Sequence, residues 1–285
     1  GTIRTNHPQM LEPLSGGTMP VSLYFTQWLL VGIFTFALPQ SVVRCMGYKD
    51  TKSLRGAMIG GTIIIGAMMI GVTTLGVLSA GVLTGDLASY GGSVDNIIPR
   101  TIVETLPPWL AGVAIVGPVA ASISTVSSLL IASSSAIIKD LWLHYADDRG
   151  QQVSDAVVAR SSQIITLGVG VIVFVLAVVP PSVIWKINMF AFGGLETAFC
   201  WVLVGALFFK RANKVGAIAS MVGGTAVYCL CMALGFKLFG LHQIVIGITV
   251  SLLCMALGSW VGNRRANAAD AAADAEMREV FFPEA

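Results

Sequence analysis

Charge is what this sequence has least of. Asp, Glu, Lys and Arg make up 11% of its 285 residues, against roughly 25% in an ordinary soluble domain. Windows such as Ile59 to Val82 and Val215 to Phe236 hold no ionisable side chain beyond cysteine and tyrosine. About 20 consecutive apolar residues are what a helix needs to cross the hydrocarbon core. The composition therefore excludes an ordinary soluble domain and predicts a polytopic membrane protein.

Other absences narrow the chemistry. No G-x-S-x-G elbow, H-E-x-x-H pair or phosphate-cradling G-x-x-x-x-G-K-[ST] occurs, and the three histidines, His7, His144 and His242, stand apart in loops or at span ends. Nothing supports an enzyme. Cys45, Cys200, Cys229, Cys231 and Cys254 show no paired spacing for a disulfide framework or a zinc site and read as small packing residues. The net charge of +2 says little, and no nucleic-acid partner is expected. No initiator methionine or signal-peptide pattern opens the chain. The polar stretch GTIRTNHPQMLEPLSGGTMP runs straight into an apolar segment, so the expectation is the C-terminal part of a longer protein.

Hydropathy predicts seven helices, at about 21 to 46, 54 to 82, 109 to 140, 159 to 179, 183 to 209, 214 to 236 and 242 to 262. Positive charge orients them. With the loop after the first span facing the cytoplasm, thirteen of the 17 Lys and Arg residues fall on that side, among them Lys49, Arg149, Lys210 and Arg264. Only Arg4, Arg100 and Lys237 fall clearly outside, with Lys186 near an outer end. The positive-inside rule then makes residues 1–20 an extracellular or periplasmic loop and 263–285 a cytoplasmic tail. The tail is alanine-rich and charged, a solvated helix or disordered, and carries no assigned function. The outer loop before the third span contains a short helical pattern from Asn96 to Leu106, which reads either as a lid or as an ordinary connection. Glycines at 56, 61, 66, 71, 76 and 81 wind around the second span and predict close packing on several sides.

Hydroxyls are abundant in one place. In AASISTVSSLLIASSS, residues 120–135, eight of sixteen side chains carry one. On a helix Ala121, Ser124, Thr125 and Ser128 share a face. Two adjacent hydroxyls and a carbonyl one turn earlier offer three oxygens, the donors a hard cation wants. The same hydroxyls equally suit tight packing and back-bonding to i−4 carbonyls, which is the simpler reading of the residues alone. Pro39, in FTFALPQSVVR, removes a backbone donor and disfavours helix before it, making it a candidate helix break of the kind that marks transporter sites. The glycine pair Gly193 and Gly194 is a second candidate break, beside Glu196, the only acid placed within a span. A carboxyl at that depth is a functional-site candidate.

Three segments, LPQSVVRCMGYKDTKSLRGA, PVAASISTVSSLLIASSSAIIKDLW and FGGLETAFCWVLVGALFFKRANKVGA, together resemble the sodium:solute symporter family in order and spacing. VRCMGYKD, SSSAIIKDLW, PPSVIW and AFGGLE are most similar to its pantothenate-transporting members. The resemblance implies a leucine-transporter-type fold, all-α, in which residues 21–209 form the second inverted repeat and 210–262 two peripheral transmembrane helices. It implies a Na⁺ site at the Ala121 carbonyl and the Ser124 and Thr125 hydroxyls, completed by a first repeat that this chain lacks. A gating aromatic of the family matches Phe34, without the tyrosine hydroxyl found in sugar-transporting relatives. Phe36 and Gln40 lie near the same level, and with Glu196 are candidates for substrate binding or gating. The implied activity is Na⁺-coupled symport of a small organic anion, pantothenate, across the bacterial inner membrane. Proline or a monocarboxylate, an ion channel and a membrane sensor are the alternatives.

Overall fold

The computed structural model describes residues 2–6, 8–12, 14–17, 19–45, 47–83, 91–151, 153–178, 180 and 182–265. Most of the tail and residues 84–90 of the outer loop lie outside the described residues, while the short helical pattern at Asn96 to Leu106 is inside them. Among those described, every regular element is helical. Oil offers the backbone no hydrogen-bond partner, and helices satisfy it internally.

Six helices are long and apolar enough to span a bilayer. We label the principal helices α1 (Val21–Trp28), α2 (Pro39–Cys45), α3 (Thr51–Val82), α4 (Ile97–Thr105), α5 (Pro108–Ser135), α6 (Asp155–Val178), α7 (Ile184–Phe208), α8 (Lys214–Ala233) and α9 (Gln243–Arg265). All but α1, α2 and α4 are spanning candidates. Polar side chains cap the starts of α3 and α8. Asp50 accepts the Ser53 amide at 2.6 Å ahead of α3, and that bond with the Ser53 hydroxyl holds its carboxyl below the usual range. Asn213 accepts the Gly216 amide at 3.0 Å ahead of α8. Beyond Ser135, α5 continues as a π-helical stretch, Ala136–Leu143, and a last turn, His144–Asp147. The whole run of 40 residues is about 60 Å long at 1.5 Å per residue. It extends well past the hydrocarbon on its charged side.

The first expected span is not one helix. α1 passes into a π turn at Leu29–Ile33 and a 3-10 turn at Phe34–Ala37, and Leu38 is extended (φ −67°, ψ 128°) before α2 begins at Pro39. Proline disfavours α geometry in the residue before it and suits the first position of a new helix. The Ser41 and Val42 amides both turn back to the Leu38 carbonyl, at 2.8 and 3.1 Å.

The chain divides into two compact units, residues 1–73 with 185–285 and residues 74–184. The core of the first gathers Leu30 and Ala37 from the broken span, Met189 and Cys200 from α7, Tyr228 from α8, and Ile244 and Ile248 from α9. Within it α8 and α9 meet along small residues. Gly216, Ser220 and Gly224 recur every four residues, and a Cβ on Gly224 would stand 3.0 Å from the Ser251 hydroxyl. This is small-xxx-small packing, which lets membrane helices approach closely. In the second unit α5 and α6 are joined by the Thr166 hydroxyl donating to Ser134 at 2.8 Å.

Two expectations need correction. α7 runs unbroken through Gly193 and Gly194. A side chain at Gly193 would collide with the Tyr228 ring, while Gly194 faces open space, so Gly193 serves close packing and the pair breaks nothing. In α3, by contrast, the close packing expected of the glycines is not made among the described residues. No atom lies within 4 Å of a Cβ built at Gly56, Gly61, Gly66, Gly71 or Gly76.

Candidate functional site

The candidate ion ligands lie on α5. The Ser124 hydroxyl donates to the Ala121 carbonyl at 2.9 Å and the Thr125 hydroxyl to the same carbonyl at 3.1 Å. Three oxygens thus converge within one turn of a helix that carries no charge. The neighbouring hydroxyls are also back-bonded. Ser122 reaches Pro118, Ser127 reaches Ile123 and Ser128 reaches Thr125, at 2.8 to 2.9 Å. Back-bonding answers why so many hydroxyls sit in oil, since each satisfies itself on its own helix. It engages the hydroxyl hydrogens and leaves lone pairs on the hydroxyl oxygens. A hydroxyl that turns its hydrogen away presents a lone pair, and Ala121, Ser124 and Thr125 would then offer three donors of the type a hard cation takes. All three residues are exposed within the chain, leaving room for further oxygens opposite them.

The candidate substrate residues belong to the other unit. Phe34 and Phe36 lie in the 3-10 turn, and Pro39 and Gln40 open α2, so the break brings these four within seven residues of chain. Phe34 packs against the core cluster, Phe36 is 43% exposed, and Gln40 is half-buried. π turns within helices are rare and concentrate at functional positions; here one directly precedes the break.

Glu196 is fully buried on α7. Neither carboxyl oxygen has a hydrogen-bond partner among the described residues. Its neighbour Thr197 is also fully buried but satisfied, donating to the Gly193 carbonyl at 2.8 Å. The Tyr228 hydroxyl donates to the Met189 carbonyl at 2.9 Å. The Ser251 hydroxyl donates to the Thr197 carbonyl and pairs with the Ser220 hydroxyl, both at 2.8 Å.

α1 is tied to the turn before α9. The His242 amide donates to the Thr26 hydroxyl at 2.8 Å, and the Ser22 hydroxyl donates to the Gly240 carbonyl at 3.3 Å. The His242 Nδ1 accepts the Ile244 amide at 3.2 Å, so this imidazole caps α9. Burial first, then the Lys237 charge, push its pKa down to about 4. Sequence reasoning missed Thr26, Ser220, Tyr228, His242 and Ser251. The four-residue recurrence of Gly216, Ser220 and Gly224 was a legible signal for the α8 seam, but nothing local pointed to Thr26 or His242.

The chain matches the sodium:solute symporter family over residues 2–224. It is 36% identical over 259 residues to a sodium/pantothenate symporter of Haemophilus influenzae, covering 90% of this chain and 52% of that protein. Over 245 residues it is 35% identical to a sodium/pantothenate symporter of Escherichia coli, covering 86% and 49%. Over 265 residues it is 26% identical to an osmoregulated proline transporter of Bacillus subtilis, covering 92% and 52%. The chain spans about half the length of the curated relatives it matches. No solved structure matches it.

Proposed function

This chain belongs to the sodium:solute symporter family, and from that premise we propose that it is the second-repeat portion of a Na⁺-coupled symporter. In this reading residues 21–209 are core helices, 210–262 add two peripheral ones, and a first repeat outside this chain completes the ion and substrate sites. The half-length coverage of the relatives supports that division. The proposed cargo is a small organic anion, pantothenate, entering across a bacterial inner membrane. The two relatives named for that substrate, at 35 and 36% identity, support it.

The observation that carries the coupling is the convergence of the Ser124 and Thr125 hydroxyls on the Ala121 carbonyl. With no carboxylate in this triad, Na⁺ is held by dipoles alone and released readily, as a transported ion must be. Binding there steadies an outward-open state, and substrate arrives beside the break at Leu38 and Pro39, with Phe34, Phe36 and Gln40 around it. Closure then exposes both to the cytoplasm. The electrical part of the gradient supplies about 2.3 kcal/mol per charge per 100 mV.

The test is uptake of radiolabelled pantothenate by transporter-deficient cells expressing the complete parent protein, with and without external Na⁺. Uptake that requires Na⁺ is the expected result. No pantothenate uptake in either condition, with the protein present in the membrane, removes the substrate. The proline-transporting relative favours a second reading, in which the same cells take up labelled proline under the same gradient.

A further inference from the structure

The Ala121 triad and the broken first span leave one buried group without a task. Glu196 is fully enclosed and both its oxygens lack donors among the described residues. An ionised carboxylate in such surroundings is strongly disfavoured unless a cation or a donor comes to it. The hydroxyls nearby are committed. Tyr228 donates to Met189, Thr197 to Gly193, and Ser251 to the Thr197 carbonyl.

The groups around it decide which cation fits. On α7, Glu196 shares a buried face with Met189, Gly193 and Cys200. The broken span presents Leu30, Val31, Phe34 and Ala37 to the common core, and α9 presents Ile244, Val245 and Ile248. These are all apolar. Among the described residues no charged side chain acts on the carboxyl, and the titratable groups beside it are Cys200 and, on α8, Tyr228. A metal cation needs several oxygens, and the hydroxyls of Tyr228, Thr197 and Ser251 already donate to carbonyls. A proton needs one. An anionic substrate has no access to a carboxyl that is fully enclosed.

We propose that Glu196 is a proton-binding site, occupied while the broken first span packs against α7 and able to exchange with water when that packing opens. Binding forms one O–H bond on the carboxylate with a proton from water and returns it to water on release; no other bond changes. The site lies beside the segment that moves in the symport reading, so if that reading holds it makes the transport cycle respond to pH. The site itself does not depend on the cargo.

The test is infrared spectroscopy of the purified complete parent protein at neutral pH, with and without ¹³C-glutamate labelling. A carboxylic-acid C=O band that shifts on labelling, is absent in Glu196→Gln and moves in Glu196→Asp is the expected result. If Glu196→Gln does not fold, the aspartate variant makes the assignment. In the uptake assay, the wild-type pH dependence should flatten in the glutamine variant. A labelled wild-type protein with no such band, or a band unchanged in both variants, overturns the proposal. The spectrum needs no transport, so a band with no Na⁺-driven uptake removes the symport reading and leaves the proton site standing.

Discussion

The Thr125 hydroxyl lies 3.1 Å from the Ala121 carbonyl, one turn back along α5, and Ser124 converges on the same oxygen. A carbonyl that accepts two side-chain hydroxyls as well as serving its helix gathers three oxygens in a segment with no charge, and a cation can draw on their lone pairs once the hydroxyl hydrogens turn away. Replacing Thr125 with alanine removes one of three oxygens. In the complete protein, Thr125→Ala should raise the Na⁺ concentration for half-maximal uptake about tenfold, the equivalent of about 1.4 kcal/mol. Thr125→Ser should restore most of it. A Na⁺ curve unchanged in the alanine variant would sink the ion-site assignment.

Gly193 is held under Tyr228 by the bond from the Tyr228 hydroxyl to the Met189 carbonyl. Any Cβ there forces the ring aside. Gly193→Ala should therefore lower stability by about 1 to 3 kcal/mol, the usual cost of overpacking, and Gly194→Ala should be close to neutral because open space lies beside it. Thermal unfolding in detergent would compare the two. Equal losses would mean that the Tyr228 contact does not govern this pair, since helix propensity alone favours alanine at both positions.

The long spans were legible because twenty-residue apolar runs such as Ile59 to Val82 admit no other structure in lipid. The shared face of Ala121, Ser124 and Thr125 follows from the helical period, and Pro39 carries its own local reason for a break. Gly193 was misread because glycine has two uses. Which one operates depends on Tyr228, 35 positions further along the chain, which no local pattern reveals. The π turn at Leu29–Ile33 left no mark in the residues. The tie from Thr26 to His242 is a contact across 216 positions and exists only once the chain has folded.

The α8–α9 seam offers a graded test. Ser251 links three helices through the Thr197 carbonyl and the Ser220 hydroxyl, but hydrogen bonds between membrane helices average only about 0.6 kcal/mol. Gly224 abuts Ser251 backbone as well as side chain and cannot yield. Ser251→Ala should cost about 1 kcal/mol or less, and Gly224→Leu should prevent the two helices from docking. Yield of monodisperse protein in detergent would read both. A leucine variant that purifies normally would contradict the close approach.

His242 adds a dependence of stability on pH. The structure begins α9 at Gln243 and leaves this residue in the preceding turn. Its Nδ1 must be unprotonated to accept the Ile244 amide, and burial with Lys237 lowers its pKa from 6.5 to about 4. A histidine lowered in the folded state stays neutral there while the unfolded chain takes the proton. Its contribution to stability is therefore complete above pH 6.5, is lost progressively as pH falls, and is gone near pH 4. The loss is on the order of 3 kcal/mol at most. Thermal unfolding midpoints in detergent should fall by several degrees between pH 7 and 5 and fall less in His242→Asn, whose amide can still cap α9 but does not titrate. An identical pH slope in the two proteins would show that the acid sensitivity arises elsewhere, and that the tie between α1 and α9 is held by Ser22 and Thr26 without the imidazole.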